Sequence, residues 1–265
     1  LWGDYLETQK LKMIEIPAGD GFHTLKGILM PLRMLGLSML KIQRADYDPN
    51  WKELKKIKRK YWIVSSVIEP ARVQDKSGYL TAGYKLSNFP YLATKTVIVD
   101  LSPSEKKLWS NLSENAKRLV KKNNNLEVVE VSPEVFLEDW KKWTKIWTMK
   151  LSELKEMKRV LKSKVRFLEG RVDGVPHSGL LIVRTHDTAN YLHSWTSESG
   201  RHSGAHYRLV WEEILKSKLV KMKFFDFEGI YDSRWPQKRW LGFTEFKKKF
   251  GGTETSLPGC FFRWL

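Results

Sequence analysis

The stretch YLHSWTSESGRHSGAHYRLVWEEI, residues 191–214, followed by FDFEGI at 225–230, decides the fold. It opens on a strand, YLHSWTS, starting near Tyr191. From about Gly204 to Leu219 the residues Leu209, Val210, Ile214 and Leu215 recur on one side, the period of a helix. Met222 to Ile230 (MKFFDFEGI) returns to a strand. Upstream, VRFLEGRV at 165–172 and the run Leu180 to Arg184 flank Asp173-Gly174, a pair that turns a hairpin by accepting positive φ. The order is hairpin, strand, helix, strand, that of an α/β (mixed α+β) lobe with its sheet flanked by helices.

Before this lobe, Leu126 to Val131 alternates like a strand, and Ser132-Pro133 caps a helix on which Phe136, Trp140, Trp143 and Trp147 share one face. Such a stripe reads as core rather than as a platform for stacked bases. Ser102-Pro103-Ser104-Glu105 offers an N-cap serine, a proline at the first helical position and a capping-box glutamate. Leu108, Leu112, Ala116 and Leu119 then carry one helix to Asn123–Asn125. Its last turns hold Lys117, Arg118, Lys121 and Lys122, which offset the helix dipole or form an anion-binding strip. Tyr61–Ile68 and Thr96–Leu101 read as buried strands, the first closed by Glu69-Pro70. Two lobes are expected, 1–110 and 111–265, with the last residues free to pack back on the first. No repeat of fixed short period and no low-complexity linker is visible.

The 265 residues carry 47 basic and 30 acidic side chains, a net charge of +17. That excess favours polyanionic partners, or else is a solvated lysine-rich surface. Cys260 stands alone beside Phe261 and Phe262, which excludes an internal disulfide and reads as a buried thiol in a reducing compartment. The nearest thing to a membrane span, Gly27 to Leu40, is too short and carries Arg33. With no signal-peptide pattern at Leu1, the expectation is a cytoplasmic protein, meeting at most the inner face of the membrane. His193, His202 and His206 lack metal-ligand spacing and a cysteine set, so no metal is expected.

Four stretches together resemble the FemABX family of non-ribosomal peptidyl transferases. They are Trp2-Gly3-Asp4-Tyr5, TVIVDLS at 96–102 with its basic helix, the 191–230 segment, and GFTEFKKKFGG at 242–252. Members of that family resemble two packed lobes of the GNAT acyltransferase fold, and they move amino acids from aminoacyl-tRNA to peptidoglycan precursors. The resemblance therefore implies two GNAT-like lobes, each a twisted mixed sheet flanked by helices. It also implies an aminoacyl-tRNA co-substrate without a further cofactor, a UDP-linked or lipid-linked muropeptide acceptor, and a monomer. Lys247 matches the family position credited with steadying the oxyanion or the tRNA terminus, with Phe246 beside it. Asp226 joins them as a catalytic candidate. Glu69, Tyr191, Tyr207 and Glu228 are candidate substrate-binding residues. Lys117, Arg118, Lys121, Lys122, Lys248 and Lys249 are candidate tRNA contacts. One departure concerns Thr144, three residues after which the family often has an arginine associated with the substrate's phosphates; here that position is Trp147. The helical coiled-coil arm of the larger members has no counterpart either.

Aminoacyl transfer from an ester to an amine passes through a tetrahedral oxyanion, so a fixed positive charge or donor is needed where that charge develops. The amine must also lose a proton, for which Asp226, Glu228, Glu69 or the tRNA's own ribose hydroxyl could serve. A second reading stays open, a GNAT-type N-acyltransferase using acyl-CoA or modifying a protein or small amine. The loop Arg201-His202-Ser203-Gly204-Ala205-His206 half-matches the GNAT pyrophosphate loop, but His206 stands where a small residue would let backbone amides approach phosphate. A third, a non-catalytic RNA-binding module, accounts for the charge and the twelve tryptophans but not for the FK–FGG frame.

Overall fold

The computed structural model describes residues 11–32, 36–71 and 76–264, so the Trp2–Tyr5 stretch and Arg33 lie outside the described residues. The chain forms two units, one of residues up to Lys95 with Asp232–Gln237 and the segment from Ser256 on, the other of Thr96–Tyr231 with Lys238–Thr255.

In the first unit β1 (Lys12–Pro17), β2 (Thr24–Leu32) and β3 (Leu37–Ala45) run antiparallel in succession. A helix, Trp51–Lys60, then crosses over to β4 (Ile63–Pro70), which lies parallel to β3. The Asn50 side chain caps this helix by accepting from the Glu53 amide. Beyond β4 the order continues through the chain's last strand, β13 (Phe261–Trp264), to β5 (Lys85–Leu86). Ile16, Leu40, Ile42, Leu54, Tyr79 and Phe261 are the buried centre of this unit. Cys260 is buried beside Phe261, as its apolar neighbours predict.

The second unit repeats the pattern. β8 (Val165–Val172), β9 (Val175–Thr185) and β10 (Thr188–Thr196) run antiparallel, and the helix Ala205–Leu219 crosses to β11 (Phe224–Gly229), parallel to β10. Asp173 and Gly174, at φ 50° and 75°, turn the β8–β9 hairpin. β6 (Lys95–Asp100), β7 (Glu127–Glu130) and β12 (Thr253–Ser256) complete the order β12-β6-β11-β10-β9-β8-β7. Two mixed sheets flanked by helices are thus present, as the sequence implies. The division falls between Lys95 and Thr96, ahead of residue 110, because β6 pairs with β11 in the second sheet.

Local expectations are corrected at three points. The helix after Ser102 is two helices, Glu105–Asn111 and Glu114–Lys122, broken where Ser113 turns extended and caps the second through the Ala116 amide. The first is capped by Ser104, not Ser102, whose amide and hydroxyl are instead engaged by the Asp100 carboxylate. The aromatic stripe holds only in part. Phe136 and Trp140 are core, but Lys145 at φ 59° ends the Pro133–Thr144 helix, so Trp147 lies beyond it and is 70% exposed.

Candidate active site

The parallel strands β10 and β11 are registered over three pairs only, Thr188↔Phe224, Ala189↔Phe225 and Asn190↔Asp226. Beyond them β10 bulges between Tyr191 and His193, and β11 shifts register against β6 between Asp226 and Gly229. The two strands therefore part at Tyr191 and Phe227. In the first unit the equivalent pair β3 and β4 shifts register between Ser38 and Met39 and between Gln43 and Ala45 but stays paired from Ser38↔Ile63 to Ala45↔Pro70, so the longer parting belongs to the second unit. Crevices at the carboxyl ends of parallel strands are where α/β sheets bind ligands.

Lys247 fills the mouth of this wedge. It lies on the Leu241–Lys248 helix, is 7% exposed, and donates from Nζ to the Gly229 carbonyl at 2.7 Å. Its ammonium lies 5.3 Å from the Tyr191 ring centroid and 4.9 Å from that of Phe243. Burial pushes its pKa down to about 8, opposed by the charges of Glu228 and Asp226. The helix is tied to the end of β11 by Thr244, whose hydroxyl accepts from the Tyr231 amide at 2.8 Å and donates to the Trp240 carbonyl at 2.7 Å. Behind Lys247 the glycine pair is a packing requirement. Gly251 sits at φ +76°, and a Cβ there would stand 2.4 Å from the Asn111 carbonyl oxygen. A Cβ on Gly252 would stand 2.7 Å from the Ile98 carbonyl oxygen.

Asp226 and Glu228 form the acidic side of the wedge. Asp226 Oδ1 accepts from the Thr96 hydroxyl and, at 2.7 Å, from the Glu228 amide, which fixes Glu228 at φ 58°. Opposite them the Tyr191 hydroxyl donates to Ser194 Oγ at 2.5 Å and lies 2.8 Å from His206 Nε2. With Tyr191 donating to Ser194, His206 donates from Nε2, which leaves Nδ1 a buried acceptor without a partner among the described residues. Burial holds the His206 pKa down at about 3, so the ring is neutral, and burial also raises that of the Tyr191 hydroxyl. Phe246 packs against His206 and Tyr207, with ring centroids 5.2 Å and 4.8 Å away.

Lys247, Phe246, Asp226, Glu228, Tyr191 and Tyr207 are thus brought together. Glu69 belongs to the first unit, where its Oε1 accepts the Tyr91 and Leu92 amides at 3.0 and 2.8 Å and its Oε2 lies 3.8 Å from Lys41 Nζ. Its visible work is anchoring that segment to β4. Among the basic candidates, Lys117 is paired with Glu114 at 2.7 Å and Lys248 with Glu254 at 2.6 Å. Arg118 donates to Asn115, Lys121 lies over the Trp109 ring, Lys122 is exposed, and Lys249 lies over the Tyr207 ring. Sequence reasoning set His206 aside as a metal ligand and otherwise treated it as an obstacle to phosphate, and it passed over Thr96, Ser194 and Thr244. Single hydroxyls on a strand or helix carry no spacing signal.

An open wedge between parallel strands, in the second of two like-built α/β units, defines the class: a tandem GNAT-like protein. Comparisons with known proteins narrow this. Residues 141–263 match the family model described as the FemAB family. The structure described as FemX superposes with a TM-score of 0.82 at 13% identity, covering 100% of this chain and 90% of that one. The structure of L-PGS from Bacillus licheniformis gives 0.57 at 13% identity, over 99% and 90% of the two chains. A tandem GNAT protein from the clavulanic acid biosynthesis pathway gives 0.57 at 10% identity, over 91% and 78%. At these identities the structural likenesses speak for the fold. No curated protein sequence matches the chain. The likeness to the FemAB family covers residues 141–263, just under half of the chain.

Proposed function

We propose that the protein is an aminoacyltransferase that moves an amino acid from aminoacyl-tRNA to an amine of a peptidoglycan precursor, with no cofactor beyond the charged tRNA. The observation that carries this reading is Lys247, a buried ammonium held by a carbonyl at the mouth of the β10–β11 wedge. The acceptor amine attacks the ester carbonyl, the C–N bond forms, and negative charge collects on the carbonyl oxygen. The Lys247 ammonium, only partly compensated by Asp226 and Glu228, stabilises that charge as it appears. As the intermediate collapses, the C–O bond to the ribose breaks and the leaving oxygen takes up the amine's proton. Glu228 and Asp226 are the nearest carboxylates for passing that proton. The neutral Nδ1 of His206, which has no partner among the described residues, offers an acceptor for a substrate N–H or O–H.

The acyl-CoA reading is disfavoured by one feature. The Ala205–Leu219 helix begins directly at Gly204, where the Glu198–Ser203 helix ends, and His206 is buried within its first turn. A pyrophosphate at that helix start would meet side chain and helix rather than open amides. Incubating the protein with mixed charged tRNAs and each muropeptide precursor, and reading product masses, tests the proposal. A precursor heavier by one or more aminoacyl residues supports it. Transfer from acyl-CoA in place of charged tRNA replaces it.

A further inference from the structure

In the first unit two cations, Lys58 and Arg263, are near enough to repel each other, with no carboxylate among the described residues to answer them. Lys58, in the last turn of the Trp51–Lys60 helix, is 6% exposed, and its ammonium lies 5.3 Å from the Tyr84 ring centroid. Arg263 stands opposite Ser66 across the β13–β4 ladder and donates from Nη1 to the Ala82 carbonyl. Its guanidinium packs on Gly83, where a Cβ would lie 3.3 Å from Cζ. The Tyr84 and Ser66 hydroxyls, both buried, are 2.7 Å apart. Whichever hydroxyl accepts in that bond keeps its own proton free to donate elsewhere.

Neither Lys58 nor Arg263 forms an ion pair with any carboxylate among the described residues. Burial and the Arg263 charge push the Lys58 pKa down to about 8. The carbonyl end of the helix and the Tyr84 ring both favour a cation there, yet neither cancels two converging positive charges. Buried charge in proteins is normally paired. An anion would answer both charges.

We propose that Lys58 and Arg263, with the Tyr84 and Ser66 hydroxyls, form an oxyanion-binding site of the first unit that takes a phosphate or carboxylate group of a ligand. Arginine supplies a planar fork suited to two oxygens, and lysine a point charge. Arg263 is partly exposed, which gives the ligand its way in. The site lies wholly in the first unit and is read by binding alone, so its failure and that of the transfer reaction are separate results.

The test is titration of the protein with inorganic phosphate and, separately, with acetate, at constant ionic strength and pH 7. Thermal midpoint and the Lys58 side-chain resonance are followed together. Saturable binding that raises the midpoint and shifts Lys58 is expected. Affinity should fall tenfold or more in Lys58→Met and in Arg263→Gln, and persist in Lys58→Arg and in a control at two exposed lysines outside both sites, Lys162→Gln/Lys164→Gln. Without anion, Lys58→Met should be at least as stable as the native protein, since it removes one of two like charges. Stronger phosphate binding assigns a phosphoryl ligand; stronger acetate binding assigns a carboxylate. Anion binding equal in the native protein, Lys58→Met and Arg263→Gln would overturn the proposal.

Discussion

Lys247 is held charged at a disadvantage. A pKa of about 8 in place of 10.5 amounts to roughly 3 kcal/mol against the ammonium in its folded setting. The sign follows directly. Between those two values the unfolded chain holds a proton that the folded chain has released, so stability rises with pH through this window. Against Lys247→Met, which cannot titrate, the native protein should gain roughly 2 kcal/mol between pH 8 and 10. Urea denaturation at the two pH values reads this, and an unchanged difference would mean that Lys247 is solvated. The same titration has a kinetic face. If the charge steadies the oxyanion, the ratio of native to Lys247→Met rates should drop about tenfold for each pH unit above 8. Taking a ratio removes the titration of the acceptor amine, which is common to both proteins.

At the scale of elements, the frame around Lys247 is set by close backbone approach. Gly251→Ala places a Cβ in the left-handed region and against the Asn111 carbonyl. It should lower stability by more than about 1 kcal/mol, measured by denaturant unfolding. Helix capping gives a second check. Ser104→Ala and Ser113→Ala should each cost about 1 kcal/mol, whereas Ser102→Ala, which caps no helix, should cost clearly less. The break at Ser113 was hidden because Leu108, Leu112 and Ala116 keep helical spacing straight across it; apolar period reports which face is buried, not whether the backbone is continuous. Trp147 misled for the converse reason, the stripe continuing on paper past a left-handed Lys145. By contrast the hairpin at Asp173-Gly174, the strand after it and the Ala205–Leu219 helix were legible, since each has a local signal in turn residues or period. The parting of β10 and β11 had none. It arises from a bulge and a register shift, both properties of neighbouring strands.

Over the whole molecule, the same succession of three antiparallel strands, a crossover helix and a parallel strand occurs twice, without a sequence repeat to announce it. The motif residues Lys247, Phe246 and Asp226 could be picked from the chain, but their convergence with Tyr191 and His206 depends on pairings far apart in sequence. The net charge of +17 is spread over both units, and its meaning rests on which cations are unengaged. Lys121→Glu with Lys122→Glu should weaken tRNA binding and flatten its salt dependence by about 0.7–0.9 in the log–log slope for each phosphate no longer neutralised. Lys117→Glu with Lys248→Glu should do less, since both lysines already answer carboxylates. Filter binding across a salt series separates the two; equal effects would make the charge a diffuse surface property. The central claim, that Lys247 supplies the charge for aminoacyl transfer, is tested most directly by the rate of precursor aminoacylation from charged tRNA in Lys247→Met, beside Lys248→Met and Lys249→Met. The account predicts a fall in turnover of about 10²-fold or more at Lys247 with precursor binding nearly unchanged, and tRNA affinity weaker by less than about 1 kcal/mol at the other two. Equal, small effects at all three lysines would contradict it.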